Sequence, residues 1–195
     1  MMPALGRLAR DDRGNPAVEF TLVLPLALML MLGLGDLAYQ AYLEAVLTGA
    51  VQKAARDSTI QGNATQTSVI DQKVIDAVKA LAPRATFVST RENYDNFSAI
   101  AAEPFTDTNH DGIREAGECY SDVNGNGQWD SDPGSSGEGG ASDVSAYKMT
   151  VTYPRLFPLA WLIGWGSNAT ISAATYLKNQ PYATQNTTTV TTKCT

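Results

Sequence analysis

A chain of 195 residues with 20 acidic side chains against 14 basic ones, a net charge of −6 and a single histidine excludes several functions at the outset. The low basic content argues against nucleic acid as a partner, and one histidine beside two cysteines leaves no Ser-His-Asp, Cys-His or histidine-based zinc constellation. Neither an enzyme nor a small-molecule substrate site is expected, so function has to be sought where the apolar and the acidic residues are concentrated.

The apolar residues come first. Arg13 to Leu34 reads RGNPAVEFTLVLPLALMLMLGL, with Glu19 at the mouth of an otherwise apolar helix. A carboxylate inside a membrane helix costs roughly 2.5–3.5 kcal/mol on insertion scales, so Glu19 requires a partner. A free α-amino group is a good one. Cleavage between Gly14 and Asn15 creates it one helical turn from Glu19, placed to pair with that carboxylate in the same chain or in a neighbouring subunit. Two other readings stay open. A secretory signal is cut at a small-x-small site, for which Gly33-Leu34-Gly35 qualifies, although the apolar pattern runs on through Leu43, Val46, Leu47, Ala50, Val51 and Ala54 without a turn signal. The remaining reading is an uncleaved membrane anchor.

Arg7, Arg10 and Arg13 precede the apolar run, whereas Asp36 and Glu44 are the first charges after it. This asymmetry puts the N-terminus in the cytoplasm and the body outside the inner membrane, with a single pass. Pro25 falls inside the span, where a missing backbone donor is tolerated if neighbours compensate. From about Pro16 to Arg56 the chain reads as one helix, roughly 60 Å long at 1.5 Å per residue. Ala41, Ala45, Ala50, Ala54 and Ala55 allow close approach of a globular head or of sister helices. The division expected is a cytoplasmic leader over residues 1–14, a transmembrane and extended amphipathic helix over 15–58, and an exterior domain over 59–195.

The Gly14/Asn15 junction, Glu19 at the fifth mature position and the uninterrupted apolar stretch resemble a class III, type IV pilin-like signal processed by a prepilin peptidase. AVEFTLVLPLALML, Ala17 to Leu30, is similar to the start of the TadE-like pseudopilins, small assembly components of the tight-adherence (type IVc) pilus. SAATYLKNQPY, Ser172 to Tyr182, is similar to that family's closing strand. These motifs cover the two ends of the chain. The resemblance implies an inner-membrane protein that meets prepilin peptidase and other pilin-like and pilus assembly subunits.

The exterior residues read as α+β. Val69, Ile70, Val74, Ala77, Val78 and Leu81 form the apolar face of a helix over Ser68 to Leu81 that ends at Pro83. Ala85 to Thr90, Ala146 to Tyr153 and Thr170 to Leu177 carry the β-branched and aromatic residues of strands, enough for a small antiparallel sheet against the helices.

The acidic residues are concentrated between the first two strands. Glu103 to Asp143 is an insertion rich in Asp and Glu with Arg114 as its one basic residue. Asp107, Asn109, Asp111, Gly112, Glu115 and Glu118 match D-x-N-x-D-G-x5-E, the calcium loop. Alternate oxygens converge on a hard cation, Gly112 permits the sharp bend, the carbonyl of Ile113 adds a ligand and Glu118 closes the shell with both oxygens. The register restarts with Asp122, Asn124, Asn126, Gly127, Gln128 and Asp130, but Pro133 stands where the closing glutamate belongs. Asp132 is an imperfect substitute, so the second loop is expected to bind Ca2+ more weakly or to share a ligand. A flexible acidic insertion is the plainer alternative. The flanks are not helical pairs, which suits extracellular modules that bind calcium at ~0.1–1 mM for structural purposes.

Gly134 to Gly140 has the composition of a flexible linker returning the chain to the sheet. Cys119 and Cys194 are an even pair in an exported chain, for which a disulfide is permissible. Leu156 to Trp165 reads LFPLAWLIGW, too short to span a bilayer. It packs in a core, or Trp161 and Trp165 set it at a membrane surface or against another pilus component. Gly33-Leu34-Gly35-Asp36-Leu37-Ala38 fits a dinucleotide fingerprint only formally, since it follows a membrane helix rather than a strand. The expectation is a membrane-anchored, non-catalytic pilin-like assembly protein with a calcium-stabilised exterior. A tethered calcium-binding adhesion module unrelated to pilus building is the alternative.

Overall fold

Pro16 opens the longest element, as suits a residue whose fixed φ is already helical and whose missing N–H would go unused in the first turn. The computed structural model describes residues 16–58, 67–157, 164, 166–180, 183–185 and 187–194. In it, helix α1 runs Pro16–Ser58, 43 residues without interruption and with Pro25 inside it. The chain divides into two compact units, Met1–Tyr42 with Pro154–Ala169, and Leu43–Tyr153 with Thr170–Thr195.

In the first unit α1 is long and apolar enough to cross a membrane, and no residue of its most apolar window is buried. Phe20, Leu22, Val23, Leu26, Leu30, Met31 and Leu34 are all exposed. An apolar surface of that extent requires a nonaqueous neighbour, because leaving it in water forfeits the free energy of burial. Asp36 is the exception, a buried acid held by Arg155.

In the second unit the later turns of α1 supply Leu43, Leu47, Val51, Ala54 and Ala55 to a buried core. Helix α2, Thr67–Lys79, adds Ile70, Val74 and Val78 at four-residue spacing. It ends at Lys79, two residues before the Leu81 that the spacing predicts, with Pro83 just beyond. Among the described residues, strands β1, Thr86–Tyr94, β2, Cys119–Asp122, β3, Ser135–Ser136, β4, Val144–Pro154, β5, Asn168–Lys178, and β6, Thr191–Cys194, follow, with a short 3-10 turn at Phe97–Ala99 after β1. They form a four-stranded sheet in the order β3-β1-β4-β5 and a two-stranded sheet of β2 and β6. Alternation on β4 turns Tyr147, Met149, Val151 and Tyr153 inward, and Ile171 and Ala173 do the same on β5. Each fully buried Leu, Val or Met in such a core contributes about 1.5–3 kcal/mol.

The strands reach further than their apolar residues predict. Strand β1 continues through Arg91 to Tyr94 because its register with β4 places Arg91 opposite Tyr147 and Tyr94 opposite Val144. The glycine-rich stretch is also more than a linker: Ser135 and Ser136 pair with Asn93 and Glu92. Gly134 is required there, because a Cβ would stand 2.8 Å from the Tyr94 ring. Gly139 adopts φ +71, and a Cβ on it would lie 2.7 Å from that of Asn93.

Candidate metal loops and membrane anchor

Of the residues expected to take part in processing, Gly14 and Asn15 lie outside the described residues. Glu19 stands in the first turn of α1, where a carboxylate favours the positive end of the helix dipole. Trp161 and Trp165 also lie outside the described residues.

The two acidic loops are built alike. In the first, Asp107 accepts the N–H of His110 at 2.6 Å and of Gly112 at 2.8 Å. In the second, Asp122 accepts the N–H of Gly125 at 2.7 Å and of Gly127 at 3.0 Å. Asn109 and Asn124, at the third position, accept from the fifth residue of their loops at 3.2 and 3.0 Å. Asp111 and Asn126, at the fifth, accept from Ile113 and Gln128 at 2.8 and 2.7 Å. Asn109 donates to Glu115 at 3.2 Å and Asn124 to Asp130 at 2.9 Å. Both loops turn left-handed at the same two places, His110 and Gly112 in one and Gly125 and Gly127 in the other. Glycine accommodates positive φ without a Cβ clash, and a short polar loop holds His110 in it locally.

The closing residue differs. Glu118, 6 % exposed, accepts from Thr108 at 2.7 Å and Glu115 at 3.0 Å, the second and ninth residues of the first loop. The corresponding residues of the second loop, Val123 and Asp130, donate at 2.8 and 3.0 Å to Glu103, which is 1 % exposed. Asp132 has no part in this arrangement. It accepts from Tyr94 at 2.8 Å and from Gly134 at 3.2 Å, and burial together with that carboxylate pushes the Tyr94 hydroxyl well above its ordinary pKa. Sequence reasoning missed Glu103 because it precedes the first loop and so has no place in the register of the second.

Glu103 is itself fixed by main-chain contacts. Its N–H donates to the Asp130 carbonyl at 3.0 Å, and its carbonyl accepts from the Trp129 indole at 2.8 Å. Phe105 meets the Trp129 ring edge-on at 6.0 Å. Strand β2 joins the loops, since it begins beside Glu118 and ends at Asp122. It pairs with β6 in a register that sets Cys119 opposite Cys194, and the two form a disulfide.

The donor set suits a hard cation, being all oxygen. In the first loop it comprises Asp107, Asn109, Asp111, Glu115, Glu118 and the Ile113 carbonyl; in the second, Asp122, Asn124, Asn126, Asp130, Glu103 and the Gln128 carbonyl. Part of each set is amide or main-chain oxygen. Among the described residues no three His, Cys, Asp or Glu side chains form a metal-holding group.

A second polar cluster lies in the same unit. Arg91 makes a two-pronged pair with Asp71 at 2.5 and 3.0 Å, a further ion pair with Glu138, and stacks on the Tyr147 ring at 4.4 Å. Tyr147 and Ser89 donate to Asp71 at 2.6 and 2.8 Å. Burial alone would raise the Asp71 pKa, but these hydrogen bonds and the arginine charge hold it below the ordinary carboxylate range. Burial and the same carboxylate push the Tyr147 hydroxyl upward. This constellation joins α2, β1, β4 and the glycine-rich segment, and every charge in it is answered.

The family model described as TadE-like protein matches residues 16–56. That stretch is α1 almost end to end, so the chain carries a TadE-like domain in its N-terminal helix. No curated protein and no solved structure matches the chain.

Proposed function

We propose that this chain is a non-catalytic subunit of a tight-adherence pilus assembly system, held in the inner membrane by α1, with its N-terminus cytoplasmic and the rest of the chain periplasmic. One observation carries the reading: the TadE-like match coincides with a helix whose apolar window is entirely exposed. Such a helix acts by packing beside lipid and sister helices, where small residues and buried polar groups set the contacts. Prepilin peptidase is the enzyme that fits the Gly14/Asn15 junction, and other pilin-like subunits are the partners that fit the helix.

Calcium is the second part of the proposal. Its support is the duplication of one hydrogen-bond scheme in two loops, each closed by a buried glutamate. The ion would supply charge neutralisation, replacing backbone N–H groups as the partner of the acidic oxygens. It would stiffen the loops without taking part in any reaction.

The test of the first part is genetic. A strain lacking this chain should fail to build its pilus or build fewer, and wild type but not a variant with residues 17–34 scrambled should restore it. Normal piliation without the chain would reject the assembly role.

A further inference from the structure

We propose that β5 pairs antiparallel with β5 of a second copy of this chain, so that one sheet runs through both. The surface is the outer edge of Thr170 to Lys178, which lies wholly within the second unit.

Strand β5 ends the four-stranded sheet, and two contacts fix how it meets β4. The Asn179 N–H donates to the Asp143 carbonyl at 2.8 Å, and the Thr170 and Thr152 hydroxyls lie 2.9 Å apart. Later residues of one strand thus meet earlier residues of the other, the antiparallel case. In that arrangement alternate residues turn both N–H and C=O toward the same neighbour. Counting back from Asn179, Leu177, Thr175, Ala173 and Ile171 turn theirs toward β4. Thr170, Ser172, Ala174, Tyr176 and Lys178 turn theirs outward, where no backbone group of the described residues bonds them. Thr152 and Thr170 are then a non-hydrogen-bonded pair, the kind that brings side chains closest, which is why their hydroxyls meet.

An open edge of this length is a template for another strand, and natural sheets guard against it with proline, bulges, charges or very short edge strands. Thr170 to Leu177 contains no proline, no glycine and no charge, and its alternation of more and less exposed residues is unbroken. At the other end of the sheet β3 partly covers β1, at Glu92 and Asn93. The unguarded edge is also self-complementary. Laid antiparallel on a second copy, Ser172 faces Ala174, and Thr170 faces Tyr176, a favourable β-branched and aromatic pair. Lys178, the one charge of the strand, is its last residue, so the two copies bring no like charges together. Anchoring by α1 holds every copy in one layer and raises the effective concentration of sister copies. That confinement depends on the proposed anchoring; the edge itself does not.

Hydrogen exchange of single amides in the detergent-solubilised full chain, over a range of protein concentrations and with mass read by light scattering, tests the pairing. The amides of Ile171, Ala173, Thr175 and Leu177 should be protected throughout. Those of Ser172, Ala174 and Tyr176 should exchange freely in the monomer and slow by roughly tenfold as dimer forms. Ala174→Lys, at an exposed position, sets a charge from each copy near the two-fold axis. It should abolish the second protection and leave the first, whereas Ala174→Thr should keep both. Free exchange at Ser172, Ala174 and Tyr176 at every concentration overturns the proposal and leaves the edge to a strand of another subunit. A dimer that persists in Ala174→Lys with these amides open overturns it as well, since the copies then meet elsewhere.

Discussion

Glu103 and Glu118 hold the same place in different loops: each receives the N–H groups of a second and a ninth loop residue, Val123 and Asp130 in one case, Thr108 and Glu115 in the other. The first loop is closed from within and the second by a residue that precedes both. Two calcium ions per chain are therefore expected, with the first loop tighter because it gathers four carboxylates against three. Glu118→Gln should weaken the first site and Glu103→Gln the second, each by roughly tenfold, which is about 1.4 kcal/mol. Asp132→Asn should leave both. Calorimetric titration of the detergent-solubilised chain distinguishes the cases. Absence of saturable binding at millimolar calcium rejects both loops, whereas two wild-type sites with the second intact in Glu103→Gln rejects only the role of Glu103.

The Arg91 cluster makes a prediction about acid. The Asp71 carboxyl is held below its ordinary range, so it contributes stability that is fully present above the unfolded pKa of ~4 and is lost as pH falls through the lowered folded value. Urea midpoints followed by near-ultraviolet circular dichroism between pH 7 and pH 3 should drop toward the acid end in wild type. They should drop less in Asp71→Asn, which has no such carboxyl to protonate. Arg91→Met leaves the partly buried Asp71 and the buried Glu138 without their counter-charge and should cost about 3–5 kcal/mol at neutral pH. Equal pH profiles for wild type and Asp71→Asn would remove the linkage.

These two sites show what the sequence made legible. The later turns of α1 and strands β4 and β5 declare themselves through local periodicity, because period and burial coincide there, and the first half of α1 declares itself through an unbroken apolar run whose side chains are exposed. The two acidic loops declare themselves through the spacing of their Asp, Asn and Glu residues, which is equally local. What stayed hidden depends on contacts distant in the chain. Glu103 has no register with the loop it closes. Strand β2 is short and its partner β6 is 75 residues away at the disulfide. The Gly134 to Gly140 stretch has a linker's composition, yet Gly134 and Gly139 are there because Tyr94 and Asn93 come too close for a side chain. Arg91 lay beyond the predicted strand because a charge on an inward face reads as a strand end until Asp71, on another element, is known to meet it.

Processing is tested at the junction that precedes α1. If Asn15 is the mature start, wild type coexpressed with a prepilin peptidase should lose its first 14 residues, while Gly14→Val stays full length. Intact-mass spectrometry reads the difference, and equal masses would sink the pilin-like reading of the leader.

Glu19 should matter for assembly rather than insertion. If it neutralises the amine at Asn15, Glu19→Ala removes a charge that is costly in the membrane and leaves insertion unchanged or easier, yet lowers pilus formation by misplacing subunits. Carbonate extraction reports the first effect and pilus counts by electron microscopy the second. Normal counts would reject the role.

The disulfide should act on both loops at once. Cys119 directly follows Glu118, and β2, which it opens, ends at Asp122, so the bond to Cys194 steadies the strand from which the first loop is closed and the second begins. Closing a loop of this length stabilises a fold by on the order of 4 kcal/mol in the chain-entropy model. Cys194→Ser should therefore speed proteolysis between Asp107 and Asp132 and weaken calcium binding at both sites, because the backbone N–H and carbonyl groups of the loops lose their common base. The sheet of β1, β4 and β5 should survive, since its core of Tyr147, Met149, Val151 and Ile171 is apolar and independent of the bond. Limited proteolysis with and without calcium, fragments identified by mass, separates these effects: cleavage throughout the sheet, or identical patterns for variant and wild type, would overturn the assignment of the disulfide to the loops.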